Sequence, residues 1–319
     1  MKCLCCGKII KENADIQERD SGWHKKCVKS FFLTSHMPII DITEEQLEAL
    51  ANDTVNKGLT IPGVQKKLSL HLSNEQDARL TIINYPTGYI LKPQTEEYLF
   101  LPEYEDLAMR LAEIAGIQTV PHALVKMNGK YAYITKRIDR EIKDDEVCMY
   151  AMEDFCQLSN RLTQDKYKGS YEGCGRIIDK YSSQSGLDMS ELFIRVVFSF
   201  IIGNSDMHLK NFSLIEEEPV SRKYRLSKAY DMLPVNIIIP ADEEQFALTI
   251  NGKKRNIRKK DFLLFAKTCG IPDKAAEKMM KKLCLLKDKY LDECEQSYLP
   301  QELKERVKEL IGERIDWLL

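Results

Sequence analysis

The sequence predicts an α+β chain of two lobes preceded by a small metal-binding module. Three observations carry this. Between residues 58 and 136 short apolar runs alternate with turn signals, as in a mixed β N-lobe holding one helix. From Glu153 onward the apolar spacing is mainly helical. Ahead of both, two pairs of metal-type ligands stand in the first thirty-six residues. The expected divisions are a module at 1–36, a linker at 37–57, an N-lobe and hinge at 58–150, and a helical C-lobe at 151–319.

In the first module Cys3-x2-Cys6 and His24-x2-Cys27 place four soft or borderline ligands on two tight turns. A structural Zn²⁺ is held tetrahedrally in this way. Cys5 competes as a ligand, and the plain alternative is free thiols beside a surface histidine. So short a segment does not bury a core without a metal. It lacks a basic recognition helix, so it reads as a structural or protein-docking module, with no direct nucleic-acid binding expected. The linker carries Pro38 and the acidic Glu44, Glu45 and Glu48, with a short helix expected.

In the N-lobe, Leu68, Leu70 and Leu72 alternate with polar residues as a half-buried strand does. Leu80–Tyr85 and Gly88–Lys92 continue the sheet across the Pro86-Thr87-Gly88 turn. Tyr104, Leu107, Ala108, Leu111, Ile114 and Ala115 keep helical spacing up to Gly116. His122–Met127 and Tyr131–Lys136 pair through Asn128-Gly129, a strong hairpin signal. The hinge follows at 137–150. The C-lobe reads as helices at Ile177–Tyr181, Ser190–Gly203, Lys260–Cys269, Lys274–Leu286 and Leu303–Leu319, with a hairpin of Phe246–Ile250 turning at Asn251-Gly252-Lys253. The basic run of Lys253, Lys254, Arg255, Arg258, Lys259 and Lys260 is either a solvated turn and helix start or a docking patch for an acidic partner.

The chemistry centres on one loop. The apolar run Leu192–Ile202 ends at Gly203, where a helix stops, and Phe212–Ile215 reads as a strand. Asp206 and Asn211 therefore lie in a short loop held at both ends. Their Asp-x4-Asn spacing suits phosphoryl transfer, with the Asp as base for an acceptor hydroxyl and the Asn as a Mg²⁺ ligand. Alone the pattern is weak, because Asp and Asn are common turn formers. Company strengthens it. After the apparent hairpin Phe212–Leu226, Asp231 follows a strand and precedes a proline break, as a metal-binding Asp would. Upstream, Lys92 ends the strand Tyr89–Lys92, although an edge lysine facing water would look the same. Further upstream, Gly58–Lys67 is a glycine-bounded loop. Loop, lysine, Asp/Asn loop and second Asp stand in kinase order.

Together, Thr60–Lys67, Ile90–Pro93, Ile134–Arg140, Glu153–Gln157, Gly203–Ser213 and Tyr230–Leu233 resemble the HipA family of bacterial serine/threonine kinases, over roughly residues 55–319. The resemblance implies a bilobal protein-kinase/lipid-kinase-like fold that uses ATP and Mg²⁺. It implies nucleotide contacts from Pro62, Gly63, Val64, Gln65, Lys66 and Lys67, from Lys92, Lys136 and Ile138, and from His208, Tyr230 and Asp231. Many members carry an aromatic where this chain has Ile138. It implies Mg²⁺ on Asn211 and Asp231, catalysis by Asp206 with both, and autophosphorylation at Thr60, where the family usually has serine. It further implies a growth-inhibiting toxin acting on a protein substrate such as an aminoacyl-tRNA synthetase, with an antitoxin or a separate N-terminal subunit as partner. Rival readings are a small-molecule or lipid kinase on the same fold, and a zinc-dependent docking protein with a vestigial ATP site. Glu153, Asp154 and Gln157 match a family segment without an assigned role.

Composition is ordinary for a soluble globular protein, at 44% hydrophobic and 30% charged residues. A net charge of −2 gives no reason to expect nucleic-acid binding. No apolar run approaches a membrane span, and the first residues have no apolar signal region. Ten cysteines in that setting point to a reducing, cytoplasmic interior, where metal binding is favoured over disulfides.

Overall fold

A computed structural model describes residues 1–40, 42, 67–73, 79–81, 88–143 and 146–319. The chain divides into two compact units, one of Met1–Asp106 with Val120–Val147, the other of Leu107–Thr119 with Cys148–Leu319.

The first unit is built on a six-stranded sheet. Its strands are β1 (Ile39–Ile40), β2 (Leu68–Leu72), β3 (Arg79–Thr81), β4 (Tyr89–Pro93), β5 (His122–Met127) and β6 (Lys130–Lys136), in spatial order β1-β3-β2-β4-β6-β5. Pairing is antiparallel except for β1 on β3. Asn128 and Gly129 both take positive φ (49° and 75°), the twist a two-residue hairpin between β5 and β6 requires. β1 is a departure from the expected linker: Ile39 and Ile40 complete the sheet edge. The linker's expected short helix lies outside the described residues.

The first thirty-six residues are packed onto this sheet. Helices α1 (Ile16–Ser21) and α2 (Lys25–Phe32) flank Trp23, which is fully buried. Its indole N–H donates to the Leu124 carbonyl of β5 (3.0 Å), and the Leu124 amide donates to the Leu4 carbonyl (3.1 Å). Trp23, Phe31, Phe32 and Tyr89 form one ring cluster at 4.9–5.9 Å between centroids, and the Tyr89 hydroxyl donates to the Phe31 carbonyl (3.1 Å). α2 has an apolar stripe that is too small to be stable in isolation. Buried aromatic area against β4 and β5 supplies what its length does not.

Helix α3 (Leu101–Ala115) is buried along most of its length and opens with three carboxylates, Glu103, Glu105 and Asp106, all under 9% exposed. Burial pushes the Glu103 carboxyl up to about 7.

The second unit is mainly helical. β7 (Met152–Asp154), β8 (Ser213–Glu216) and β9 (Tyr224–Leu226) form an antiparallel sheet in the order β9-β8-β7. Beside it stand α4 (Phe155–Leu158), α5 (Tyr171–Tyr181), α6 (Ser185–Ile202), α7 (Val235–Ile238), α8 (Lys259–Thr268), α9 (Asp273–Cys284), α10 (Lys287–Gln296) and α11 (Gln301–Leu318). α6 is the core: from Leu192 to Ile202 only Ile194 is not fully buried. Its one internal cation, Arg195, is held by Glu191 (2.8 Å) and the Ser227 carbonyl (2.7 Å).

Two expectations are corrected here. Phe246–Ile250 is not a strand: Ile250 and Lys253 form an isolated bridge around the Asn251-Gly252 turn. Phe246 packs against Tyr171, Phe200 and Phe262, so helices rather than a partner strand cover the alternating apolar residues. α10 was not foreseen, because only Tyr290 and Cys294 are buried on an otherwise charged helix. In the basic run, Lys253, Lys254 and Arg255 are paired with Asp261, Glu244 and Glu243, and the Arg258 guanidinium lies over Trp317. The run is a solvated turn and helix start. Among the described residues no helix is long and apolar enough to cross a membrane.

Trp23→Ala is expected to cost about 3–5 kcal/mol, the usual range for deleting a buried aromatic, and denaturant unfolding should show it in the first unit's transition. Glu103 gives a pH signature. Its carboxyl ionises near 4.5 unfolded but about 7 folded, so the folded state binds the proton more tightly and stability falls as pH rises between those values. The total loss is up to roughly 3 kcal/mol. Glu103→Gln should match wild type near pH 4.5 and exceed it in stability above pH 7.

Candidate functional site

In the first unit, Cys3, Cys6, His24 and Cys27 bring their ligand atoms within 4.8 Å of one another. The Cys6 and Cys27 sulfurs lie 3.4 and 3.9 Å from His24 Nδ1. Zn–S near 2.3 Å and Zn–N near 2.0 Å on a tetrahedron put ligand atoms roughly 3.5–3.8 Å apart, so the four fit Zn²⁺. His24 Nε2 faces the Ile9 carbonyl at 3.2 Å, which holds the tautomer with Nδ1 toward the metal position. The turn is local: the Gly7 amide donates to the Cys3 carbonyl (2.9 Å), and Gly7 takes φ 68°. Cys5 is outside the set.

Lys92, on β4, is 3% exposed, and its ammonium contacts Glu105 Oε1 at 2.5 Å and lies 5.4 Å from the Tyr133 ring centre. Two charges so far from water are held only where the partner is fixed. Glu105 was missed in the sequence, where an acid on the apolar face of a helix was the available signal. Beside it Asp106 faces His122 at 3.6 Å. Lys67 is exposed, and burial lowers the Lys136 ammonium against the opposing charge of Glu141. Ile138 is half-buried. It lies in a segment where Arg137 and Arg140 clamp Asp139; against the effect of burial they hold its carboxyl at about 2. Thr60, Pro62, Gly63, Val64, Gln65 and Lys66 lie outside the described residues.

In the second unit α6 ends at Gly203 (φ 71°), where a Cβ would stand 2.4 Å from Leu310. The loop beyond it is braced along its length. The Asn204 amide donates to the Ser199 carbonyl (2.8 Å), the Ser205 hydroxyl to Asp242 (2.6 Å), and the Tyr171 hydroxyl to the Met207 carbonyl (3.1 Å). Asp206 presents Oδ1 to the Tyr167 hydroxyl (2.7 Å), and its carbonyl accepts from Asn211 Nδ2 (3.1 Å). The amide end of Asn211 is thus committed to the loop, and its oxygen is the end suited to a hard cation. His208 is buried against the edge of the Tyr167 ring, 5.1 Å between centroids.

The Asp231 loop is tied to this one by its neighbour. The Tyr230 hydroxyl donates to the Lys210 carbonyl (3.0 Å) and shares a 2.6 Å hydrogen bond with Ser213. One hydroxyl therefore fixes the residue next to Asn211 to the residue next to Asp231. Asp231 itself takes φ 61°, a left-handed conformation that Asp tolerates better than most residues. Partial burial first, then the charge of and hydrogen bond to Asp206 and the charges of Asp242 and Asp231, raise the Tyr167 phenol above its ordinary value, so it stays a donor. Tyr167 and Asp242 were not read from the sequence; neither sits in a recognisable spacing. Asp154 caps α4 with Gln157 in a reciprocal box and binds Lys210 (2.6 Å), which gives that segment a bracing role.

Residues 59–288 match the model of the HipA-like C-terminal domain. The chain is 26% identical to a Haemophilus influenzae protein named "Putative kinase", over 77% of each chain. It is 33% identical to "Putative kinase Y4dM" of Sinorhizobium fredii over 61% of this chain, and spans about half (49%) of that relative's length. Among solved structures, HipA of Shewanella oneidensis MR-1, in a toxin–antitoxin complex with HipB and operator DNA, superposes with a TM-score of 0.68 at 18% identity, covering 81% of this chain and 64% of that one. That likeness carries the fold: the α+β, kinase-type architecture. With a family model spanning most of its length, the chain belongs to the family of the HipA-like C-terminal domain.

Proposed function

We propose that the chain is an ATP- and Mg²⁺-dependent serine/threonine protein kinase. The observation that carries this is the buried Lys92–Glu105 ion pair, joining a strand lysine to a helix glutamate as protein kinases do to place a cation for nucleotide phosphates. Within the first unit Lys92 is the residue suited to phosphate, and within the second Asn211 and Asp231 offer oxygens suited to Mg²⁺; family resemblance adds Pro62–Lys67, Lys136, Ile138 and His208 as further nucleotide contacts. When bound, Mg²⁺ supplies neutralisation of the phosphate charge.

Asp206 orients the acceptor hydroxyl and takes its proton. The Tyr167 hydroxyl fixes the Asp206 carboxylate in one orientation, and the braces on Ser205, Met207 and Asn211 keep that aim. Positioning of this kind is most of what phosphoryl transfer asks of a protein. Tyr230, whose hydroxyl joins the two loops, acts here by holding Asp231 beside Asn211.

The same reading includes a structural Zn²⁺ on Cys3, Cys6, His24 and Cys27, autophosphorylation at Thr60, and a cytoplasmic setting drawn from the cysteine usage. It includes a growth-inhibiting role on a protein substrate such as an aminoacyl-tRNA synthetase, with an antitoxin or a separate N-terminal subunit as partner. Family resemblance supports these last parts, and phosphoproteomics after induced expression tests them.

Asp206→Asn is expected to lower transfer ~10²–10⁴-fold, the usual span for a lost general base, while nucleotide binding measured by calorimetry persists. Asp231→Ala should lose Mg²⁺-dependent nucleotide binding as well. Turnover by Asp206→Asn above about a tenth of wild type would remove Asp206 from the role of base.

For the metal, elemental analysis should find one zinc per chain, and Cys27→Ser should lose it. Because the module carries Trp23 onto β5, chelation should also lower the first unit's melting temperature. A Cys27→Ser variant with full zinc content would refute this ligand set.

A further inference from the structure

The second unit holds a cavity of about 400 Å³ that the proposed reaction does not use. Its apolar lining comes from Leu158 of α4, Ile177 of α5 and Leu209 of the Asp206 loop. Its charge comes from Arg161, Arg176 and Lys180, and no carboxylate lines it. The nearby acids are directed elsewhere. Asp165 is paired with Lys168 (2.7 Å), Glu172 accepts from the Asn251 amide (2.8 Å), and Asp179 is exposed outside the lining.

All three cations are exposed, and the Lys180 ammonium also lies 4.7 Å from the Tyr181 ring centre. Arg176 and Lys180 stand one turn apart on α5, where like charges repel, and Arg161 adds a third from a separate segment. The walls are already in place: the Thr249 amide donates to the Gly169 carbonyl (3.2 Å), and the Tyr171 amide to the Thr249 carbonyl (3.0 Å). A preformed cavity with an apolar floor and a cationic rim suits an anionic side chain carried on an apolar stem.

Its place relative to Asp206 gives the class of ligand. Leu209 lies three residues beyond Asp206, and the Leu209 amide donates to the Lys166 carbonyl (3.2 Å). The next residue, Tyr167, donates to the Asp206 carboxylate. One wall of the cavity is therefore the same loop that aims Asp206.

We propose that this cavity docks an acidic segment of the polypeptide substrate, taking a carboxylate or phosphate side chain near the acceptor hydroxyl. The inference rests on the protein-kinase reading of the Asp206 loop. A free small anion offers the same charge without the chain, and the test separates the two.

The full chain is titrated by fluorescence anisotropy with a labelled Ser-containing peptide bearing Glu, its phosphoserine form and its Gln counterpart, with inorganic phosphate as competitor. The Glu and phosphoserine peptides should bind about tenfold tighter than the Gln peptide, and Arg176→Glu/Lys180→Glu should remove that difference. Binding should also weaken with added salt, as exposed charges are screened. Arg161→Glu, at an exposed site on another segment, repeats the measurement if the double variant does not fold. With Mg²⁺-ATP, the KM for the Glu peptide should rise in these variants by a similar factor at unchanged kcat.

Equal binding of the Glu and Gln peptides, or no change in the charge-reversed proteins, overturns the docking site. Full displacement by millimolar phosphate overturns the peptide as its ligand. Charge-dependent binding without transfer to any peptide supports the site and overturns the kinase reading instead.

Discussion

The arrangement of the second unit depends on where α6 stops. The largely buried helix Leu192–Ile202 ends on Gly203, whose left-handed conformation (φ 71°) is strained for a residue with a Cβ, which would also press on a methyl of Leu310. The chain has to leave the core at that point and in that direction. Asp206 is reached three residues later, before the chain has freedom to wander, and each intervening group is bonded to something rigid. Glycine is favoured here because the left-handed turn costs it nothing, whereas other residues pay for that conformation. Rigidity at Asp206 follows from packing around a helix terminus, and the polar braces of Tyr167, Tyr171 and Asp242 refine an aim that the core has already set.

In the first unit the corresponding constraint is electrostatic. A lysine and a glutamate removed from water lose several kcal/mol of hydration each, and their attraction recovers this only with close, fixed geometry. The protein supplies that geometry with a central strand and the first turns of α3. Well-packed apolar residues in place of a buried ion pair are often neutral or stabilising, so the pair is better understood as a placed charge than as a stabilising contact. Glu103 and Asp106 on the same helix make that region rich in acid, which the Lys92 ammonium and the His122 ring answer at close range.

How much of this was legible in the sequence varied with the range of the interaction. The α+β class, the Asn128-Gly129 hairpin and the helix that ends at Gly203 rest on local periodicity and turn chemistry, and these are written in consecutive residues. The Cys/His pairs were legible for the same reason. Glu105 was not, because an acid among apolar neighbours looks like a solvent-facing interruption until the opposing strand is known. Tyr167 and Asp242 reach their partners in the Asp206 loop from 39 and 37 positions away in sequence, with nothing in their own surroundings to mark them. The false hairpin at Phe246–Ile250 shows the converse: alternation reports which side chains are buried, and helices can bury them as well as strands do. β1 was missed because two isoleucines make too short a signal.

The contact between Trp23 and Leu124 joins residues 101 positions apart, and this has a consequence for the chain as it is made. The four candidate metal ligands lie between Cys3 and Cys27, so a bound metal would close only a small loop, at low entropic cost. At about 5–20 residues per second, the strand that receives Trp23 is synthesised roughly 5–20 seconds later. For that interval Trp23, Phe31 and Phe32 lack the strand residues Tyr89 and Leu124 that they contact in the folded unit. The strand that covers this module is thus made well after it, and until then its aromatic surface is where chaperones and premature association would compete.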